Sequence, residues 1–239
     1  MLQFQVPKEL EAHEPPEARG LRRDEVRLMV SKRADSSIVH ARFHDLPRFL
    51  DPGDLLVINT SGTLPAALAA TRADGGAYEL HLSTHLPSDL WIVELRQLAE
   101  SGTKPFFDVV EGESFQLPAG GLVAIRSPYA YGADGAKSKR LWAASLHLPW
   151  ALHDYLAKHG LPIRYDYVPE CWDISYYQTV YATEAGSAEM PSAGRAFTPE
   201  LITRLVAQGV QVAPLVLHTG VASLEEFEPP YEEFYRVST

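Results

Sequence analysis

The sequence contains very little cysteine and no long apolar run. Cys171 is the single cysteine among the 239 residues, which excludes an internal disulfide framework and leaves too few thiolates for a cysteine-rich zinc site. A lone nucleophile is one interpretation of it, but we expect an ordinary half-buried cysteine. No stretch approaches the roughly 20 apolar residues of a membrane span, and the start, MLQFQVPKEL, lacks the order of a signal peptide. We therefore expect a soluble, cytoplasmic protein with no membrane partner.

Positive charge is also scarce, since the formal net charge is -10 and the pI is about 5.3. Nucleic-acid binding draws much of its affinity from Lys and Arg residues that displace counterions. The chain as a whole would repel a polyanion, so any such contact must use a local patch. An ordinary solvated surface is the alternative for each basic run. The candidates are Arg19, Arg22, Arg23, Arg27, Lys32 and Arg33 near the start and Lys137, Lys139 and Arg140 further on.

The generic catalytic motifs are missing as well. The sequence has no P-loop, no complete dinucleotide fingerprint, no paired histidines at helical spacing with a glutamate, and no nucleophile elbow. Two turns rich in small and hydroxyl residues remain, NTSG at 59–62 and PSAG at 191–194. A backbone can approach a ligand closely at such turns. Ordinary turn chemistry is the alternative.

Apolar patterning predicts two domains. Residues 25–31 and 37–43 alternate in polarity and predict two strands joined by a polar turn, and the apolar run at 55–58 predicts a strand buried on both faces. From residue 66 to 145 the apolar runs are short, Gly and Pro recur, and 78–83 and 90–95 resemble strands, which favours an all-β insertion in the form of a small barrel. We expect an α/β main domain with a mixed sheet at 1–68 and 149–239, interrupted by the barrel-like insertion at 69–148.

The last third has the clearest helix signals. Residues 149–159 have helical spacing before a glycine stop. Thr198 is predicted to cap a second helix that Gly209 ends, and residues 210–217 then resume as a strand. Ligands of open α/β sheets bind at the carboxyl ends of strands, which is where Asn59 and His218 would lie.

Blocks along nearly the whole chain resemble, in the same order, those of the S-adenosylmethionine:tRNA ribosyltransferase-isomerase family. They are FQVPKEL near the start, RRDEVRLMV (22–30), FHDLPRFLDPGDLLVINTSGTLPAAL (43–68), YYQTVYA (176–182), PSAGRAFTPELITRL (191–205) and VLHTG (216–220). Ordered and spaced blocks are much more specific than any single motif. The chain is therefore identified as a divergent member of that family, acting in queuosine biosynthesis.

The resemblance implies an α/β main domain interrupted by a β-barrel, and a reaction that uses no metal. Members of the family take the ribosyl part of S-adenosylmethionine, attach it to 7-aminomethyl-7-deazaguanine in tRNA, and isomerise it to the epoxycyclopentane of epoxyqueuosine. Adenine and methionine are released. The expected substrate is thus S-adenosylmethionine, and the expected partner is a tRNA that carries the deazaguanine base.

The reaction needs a base, an acid and close placement of the tRNA amine. His218, at a predicted strand end in a family block, is the first candidate for acid or base because the unperturbed pKa of histidine lies near neutrality. A structural hydrogen-bonding role is the alternative for it. Other residues are expected to shape the nucleoside pocket or to contact tRNA. The pocket candidates are Asn59, Ser61, Gly194, Phe197, Thr198 and Gly220, and the tRNA candidates are Arg23 and Arg27.

The sequence departs from the family at positions where the family has charged or titratable side chains. Gly62 and Ala67 replace two cations, Ala196 replaces a histidine beside an arginine that has entered at 195, and Tyr231 replaces another histidine. Family members also continue past the position of Thr239. We expect either a fragment of a longer product or a short paralogue, and we expect self-association to complete an unfinished sheet.

Three functions are therefore compatible with the sequence. The first is the family reaction or a close variant. The second is a catalytically degenerate paralogue that binds a nucleoside or a partner protein, and the lost cations and histidines favour it. The third is a different transferase on the same scaffold, acting on a small molecule.

Overall fold

The structure is a computed structural model that describes residue 7 and residues 10–99, 102–131, 136–164 and 168–221, with the backbone alone at 130, 131 and 136–139. The strands are β1 (Arg27–Ser31), β2 (Ile38–Arg42), β3 (Leu55–Asn59), β4 (Ser61–Thr63), β5 (Ala67–Thr71), β6 (Ala77–Leu86), β7 (Leu90–Leu98), β8 (Thr103–Pro105), β9 (Ser114–Gln116), β10 (Leu122–Tyr131), β11 (Ala136–His147), β12 (Glu184–Ser187) and β13 (Gln211–Leu215). The α-helices are α1 (Leu152–His159) and α2 (Pro199–Gln208). Short 3-10 turns cover Pro16–Arg19, Arg23–Glu25, Phe43–Phe49, Pro118–Gly120, Ile174–Tyr177 and Ser192–Gly194. The fold is mixed α/β and rich in strands, as the sequence predicts.

The middle of the chain forms a seven-stranded sheet in the order β11-β10-β9-β5-β6-β7-β8. All its ladders are antiparallel, and β11 also pairs with β7, so the pairings follow a closed circuit. Fully buried apolar side chains from β5, β6, β7, β9, β10 and β11 fill the larger of the two cores. The predicted strands at 78–83 and 90–95 are confirmed as parts of β6 and β7.

Helix α1 covers this sheet, and its position is fixed by burial and by one hydrogen bond. Tyr155 and Leu156 lie in the same core as the strands. The Tyr155 hydroxyl also donates to the carbonyl oxygen of Pro118 at 2.7 Å. Since a buried phenol needs such a partner, the bond orients α1 on the 3-10 turn between β9 and β10.

The remaining strands pair two by two. β1 and β2 are antiparallel, which confirms the predicted hairpin, whereas β3 pairs in parallel with β13 and β4 in parallel with β12. The prediction that β3 is buried on both faces is wrong, because the side chains of Leu55 and Val57 are 59% and 54% exposed. Only Leu56 and Ile58 point inward. Alternate residues of a strand face opposite sides, and one face of β3 is uncovered by the described residues.

Helix α2 follows the predicted start and stop signals. The Thr198 hydroxyl accepts the Leu201 N–H at 3.1 Å, Pro199 occupies the first turn, and Gly209 ends the helix in the left-handed conformation with φ +94°. Leu201 and Leu205 form the buried face of α2. With Phe197 and Val210 they make the smaller core, onto which Leu56 of β3 packs.

Two predictions about single residues are wrong. Cys171 is exposed and not half-buried, because it lies in the irregular stretch before the 3-10 turn at Ile174–Tyr177. Arg140 belongs to no surface patch, because it is 2% exposed and its guanidinium donates to the Glu94 carboxylate at 3.0 Å.

Within the described ranges, no helix has the length and apolar character needed to cross a membrane.

Candidate active site

The carboxyl ends of β3 and β13 meet, as the sequence predicts, and Asn59 ties them together. Its side-chain oxygen accepts the N–H groups of Leu217 at 2.9 Å and Ser61 at 3.1 Å, and its side-chain nitrogen donates to the Leu217 carbonyl at 2.8 Å. Both polar ends of the amide are therefore used. Asn59 therefore fixes the start of β4 and the residue before His218 relative to each other.

The His218 ring is held by two buried serines. Its Nδ1 lies 2.7 Å from the Ser61 hydroxyl, which lies 2.5 Å from the Ser187 hydroxyl. Ser187 also accepts the N–H of Thr219 at 3.0 Å. The two serines come from β4 and β12, which pair in parallel, so the ladder brings together residues distant in sequence.

Gly186 supports the face of the same ring. A Cβ built on Gly186 would lie 2.6 Å from Nε2 of His218, well inside van der Waals contact. The ring therefore lies directly on the backbone of β12, and any side chain at position 186 would displace it. Close backbone approach of this kind is a recurrent reason for glycine in a strand.

A cavity of about 780 Å³ opens beside His218. This volume is within the range of small-molecule sites. Its walls come from the β6–β7 hairpin, the end of β11, the start of α1 and the β12 segment. The lining residues are Leu64, Ser83, Thr84, His85, Asp89, Trp91, Leu146, Leu148, Trp150, Leu152, His153, Ala185, Gly186 and His218. Trp91 and Trp150 contribute aromatic surface to the cavity beside His218; the Trp150 ring also stacks on His159, and the Trp91 ring packs against His85.

The segment that follows His218 is attached to the seven-stranded sheet. A Cβ on Gly220 would lie 2.7 Å from the Thr84 hydroxyl, so only glycine fits this close approach to β6. Val221 donates its N–H to the Ser83 hydroxyl at 2.9 Å and accepts from the Arg140 guanidinium at 3.1 Å. Gly220, a predicted pocket residue, thus lies against two cavity-lining hydroxyls.

Three other predicted pocket residues lie elsewhere. Gly194 packs against the Tyr181 hydroxyl, Phe197 packs edge-on to Phe43 with ring centroids 4.9 Å apart, and Thr198 caps α2. None of the three lines the cavity beside His218. Each has a structural contact that accounts for its residue type.

The two predicted tRNA contacts differ in their surroundings. Arg23 is half-buried, lies 3.6 Å from the Glu17 carboxylate and donates to the Gln178 carbonyl at 3.3 Å. Arg195 binds both oxygens of the same Glu17, at 3.0 and 2.9 Å. Burial acts to raise the pKa of Glu17, but the hydrogen bond from Arg195 and the nearby guanidinium charges outweigh it and lower that pKa. Arg27, in contrast, is exposed on β1, directly opposite exposed Arg42 of β2.

The positions where the sequence departs from the family are largely buried. Gly62 lies inside β4 against the backbone of Ala185, and Ala67 lies inside β5 opposite His81. Ala196 is half-buried before α2. Tyr231 lies outside the described residues.

Several residues of the site carry no signal in the sequence. Ser187 and Gly186 sit in a polar stretch between two family-like blocks, and their small size is the only feature that points to close packing. The spacing of Trp150 predicts only a helix residue, and the pattern around Trp91 predicts only a strand residue, so neither indicates a cavity-lining position. Among the described residues, no three His, Cys, Asp or Glu side chains are grouped so that they could hold a metal ion.

Comparison with known proteins agrees with the family-like blocks. The family model described as "Queuosine biosynthesis protein" matches residues 1–238. The S-adenosylmethionine:tRNA ribosyltransferase-isomerase of Symbiobacterium thermophilum is 37% identical over 245 residues, covering 98% of this chain and 66% of that protein. The enzyme of the same name from Thermotoga petrophila is 34% identical over 244 residues, with the same coverage of 98% and 66%.

A solved structure is also similar in sequence. The crystal structure of S-adenosylmethionine tRNA ribosyltransferase from Thermotoga maritima is 27% identical, and the match covers 90% of this chain and 57% of that one, with a TM-score of 0.33. The chain spans slightly less than two thirds of the length of the curated relatives it matches. Because the family model covers nearly every residue, the chain belongs to the queuosine biosynthesis protein family.

Proposed function

We propose that the chain transfers and isomerises the ribosyl moiety of S-adenosylmethionine onto 7-aminomethyl-7-deazaguanine in tRNA, giving epoxyqueuosine. The observation that carries the proposal is the cavity beside His218, which the family-like blocks at 43–68 and 216–220 help to build. The names of the relatives, which cover this chain almost completely, support the same reaction.

S-adenosylmethionine occupies the cavity in this proposal. Its adenine lies beside Trp91 and Trp150, since nucleobases pack readily against aromatic side chains. His218 contacts the reacting nucleoside. Asn59, Ser61 and Gly220 act by placing His218 and the backbone around it, whereas pocket roles for Gly194, Phe197 and Thr198 stay predictions.

The tRNA approaches over the exposed face of β1 and β2. Arg27 and Arg42 face each other across these strands, and like charges at such positions destabilise a sheet unless an anion lies between them. A phosphate group would remove that repulsion and release counterions. Arg23 serves less well as a phosphate ligand than Arg27, because Glu17 and the Gln178 carbonyl already engage its guanidinium.

Three further sequence predictions are kept as proposals. The chain is divided into a main domain at 1–68 and 149–239 and a barrel-like insertion at 69–148. The separate core around α2 supports the main domain, whereas the core of the seven-stranded sheet also includes residues from the main-domain segments, such as Leu64, Tyr155 and Ala188. The protein acts in the cytoplasm, where tRNA is modified. Self-association has no support among the described residues and stays a prediction.

A second candidate is a catalytically degenerate paralogue that binds a nucleoside or a partner protein. Gly62, Ala67 and Ala196 favour it, because none of these side chains can carry a charge or a proton. The cavity and the two tryptophans would remain useful to such a protein.

Adenine release separates the two candidates. The chain is incubated with S-adenosylmethionine and tRNA that carries the deazaguanine base, and free adenine is quantified by chromatography. The family reaction predicts release by the wild type, and a loss of about 100-fold or more in His218→Asn, the range of a catalytic group that interacts with reacting atoms. His13→Asn, which changes an exposed histidine outside the cavity lining, is the control and should match the wild type. Binding without release would favour the degenerate paralogue, or a transferase with a different acceptor.

A further inference from the structure

We propose that Ser61 and Ser187 are positioning residues: Ser187 donates to Ser61, and Ser61 holds neutral His218 with its proton on Nε2, so that the ring offers the cavity a hydrogen-bond donor and not a base. The chemical consequence rests on the proposed function. The position of the proton follows from the contacts alone and can be measured without any substrate.

Ser187 sets the direction of the hydrogen bonds. Its hydroxyl accepts the N–H of Thr219 at 3.0 Å, and its other polar neighbour is the Ser61 hydroxyl at 2.5 Å. The residue is 0% exposed, so water does not reach it. The single hydroxyl hydrogen of Ser187 must therefore point to Ser61, because a buried donor without an acceptor is costly.

Ser61 donates its own hydroxyl hydrogen to the histidine. It is 1% exposed, and it already accepts the hydrogen of Ser187. Its own hydrogen then points to Nδ1 of His218, 2.7 Å away. A neutral imidazole has one protonated and one unprotonated nitrogen. Since Nδ1 is the acceptor, the proton of the neutral ring is on Nε2.

The reverse direction fails at its last step. If Nδ1 carried the proton, it would donate to Ser61, and Ser61 would donate to Ser187. Among the described residues, the hydrogen of Ser187 would then have no acceptor, because the Thr219 N–H is itself a donor. The contacts of the two buried serines therefore favour one tautomer of His218.

The consequence for the proposed reaction is a division of roles. Among the described residues, Nε2 has no hydrogen-bond partner, and the ring lines the cavity. A protonated Nε2 cannot remove the proton next to the sulfonium. It can donate a hydrogen bond to the nitrogen of adenine that gains electron density as the glycosidic bond breaks, and the proton stays on the ring. A neutral histidine used in this way stabilises developing charge without a full proton transfer.

Nitrogen NMR of the histidine rings tests the proposal. The protein is labelled with ¹⁵N-histidine, and long-range ¹H–¹⁵N spectra are recorded without ligand at a pH where the rings are neutral. The His218 signals are assigned by their loss in His218→Gln. We expect an unprotonated Nδ1 and a protonated Nε2 in the wild type. Because no substrate is present, the result does not depend on whether the adenine-release assay succeeds.

Serine variants provide the decisive comparison. In Ser61→Ala, Nδ1 loses its hydrogen-bond donor, so both His218 nitrogens should shift toward a mixture of the two tautomers. Ser187→Ala leaves Nδ1 as the acceptor for the Ser61 hydrogen among the described residues, so the wild-type tautomer should persist. Thr179→Val removes a buried hydroxyl that lies outside the cavity lining and has no hydrogen-bond partner among the described residues, so it should keep the wild-type signals. The other histidine signals report whether each variant is folded. A wild type with its proton on Nδ1, or unchanged His218 signals in Ser61→Ala, would overturn the proposal.

Discussion

Two clusters of buried polar side chains hold the segment 218–221, and they differ in whether every polar atom is used. In the first cluster, Ser187, Ser61 and His218 form a chain of uncharged hydrogen bonds. Among the described residues, the Nε2 atom of His218 has no hydrogen-bond partner, and the ring lines a cavity. In the second, the carboxylate of Glu94 is bound by Arg96 on one oxygen and by Arg140, at 3.0 Å, on the other. Arg140 also donates to the carbonyl of Val221.

The difference separates a structural cluster from a functional one. Buried charges are tolerated where partners compensate them, and the Glu94 cluster meets that condition inside the seven-stranded sheet. In the His218 cluster, one ring nitrogen has no hydrogen-bond partner among the described residues, and we propose that it binds a ligand. We expect substitutions in the Glu94 cluster to act on stability and those in the His218 cluster to act on the substrate.

The largest effect on stability is expected for Glu94→Ala. The variant leaves the guanidinium groups of Arg96 and Arg140 buried without their carboxylate, which should lower the free energy of unfolding by about 3–5 kcal/mol. Urea denaturation measures the change. Glu111→Gln, at an exposed glutamate, is the control and should stay within about 0.5 kcal/mol. A loss for Glu94→Ala no larger than that of the control would mean that the cluster is not structural.

Gly186→Ala should have the next largest effect. The added methyl group overlaps the His218 ring, so the ring must move, at a cost of about 1–3 kcal/mol in unfolding free energy. Gly62→Ala, in the neighbouring strand, places its Cβ 3.4 Å from Ala185 and should cost less. Thermal or urea unfolding of both variants gives the comparison, and equal losses would show that the ring is not tightly seated.

Thr198→Ala tests whether a predicted pocket residue is only a helix cap. Loss of the bond to the Leu201 N–H should cost about 1 kcal/mol of unfolding free energy, and Thr198→Ser should keep most of it. Calorimetric titration of S-adenosylmethionine into both variants should give the wild-type affinity. Weaker binding by Thr198→Ala alone would place the hydroxyl in the nucleoside pocket.

The smallest effect is expected for Glu17→Gln, and it depends on pH. The folded-state pKa of Glu17 is lowered from its ordinary 4.5, because the bonds from Arg195 outweigh the effect of burial. The carboxylate therefore stabilises the fold above pH 4.5, and this contribution disappears as pH falls through the folded-state pKa. We expect the wild type to exceed the variant by about 1 kcal/mol at neutral pH, discounted for partial exposure, and by nothing in strong acid. Unfolding free energies measured across this range check it, and a difference that is constant with pH would contradict it.

The elements that could be predicted from sequence are those set by local chemistry. Helix α2 begins at Pro199 after the Thr198 cap and ends before Gly209, and all of these signals lie within one short segment. The β1–β2 hairpin follows in the same way from local alternation. His218 and Asn59 were placed at neighbouring strand ends because parallel strands end on one side of a sheet.

The predictions fail where residues distant in sequence determine whether a side chain is buried and what it contacts. The apolar run of β3 looks buried, yet the described residues cover only one of its faces. Arg140 looks like a surface cation, yet Glu94, 46 positions earlier, neutralises it inside the sheet. Ser187 meets Ser61 from 126 positions away. No local sequence pattern predicts these contacts, because they depend on which strands pair with one another.

Calorimetric titration of S-adenosylmethionine into three proteins tests the central claim that the cavity beside His218 is the substrate site. Ala185 lines the cavity and is exposed, so Ala185→Trp fills the space without disturbing a core. Glu184→Trp adds the same side chain at the adjacent exposed position of β12, outside the cavity lining. We predict that the wild type and Glu184→Trp bind equally and that Ala185→Trp binds at least about tenfold more weakly, a difference of about 1.4 kcal/mol. Wild-type affinity in Ala185→Trp would contradict the account, because the ligand would then bind elsewhere.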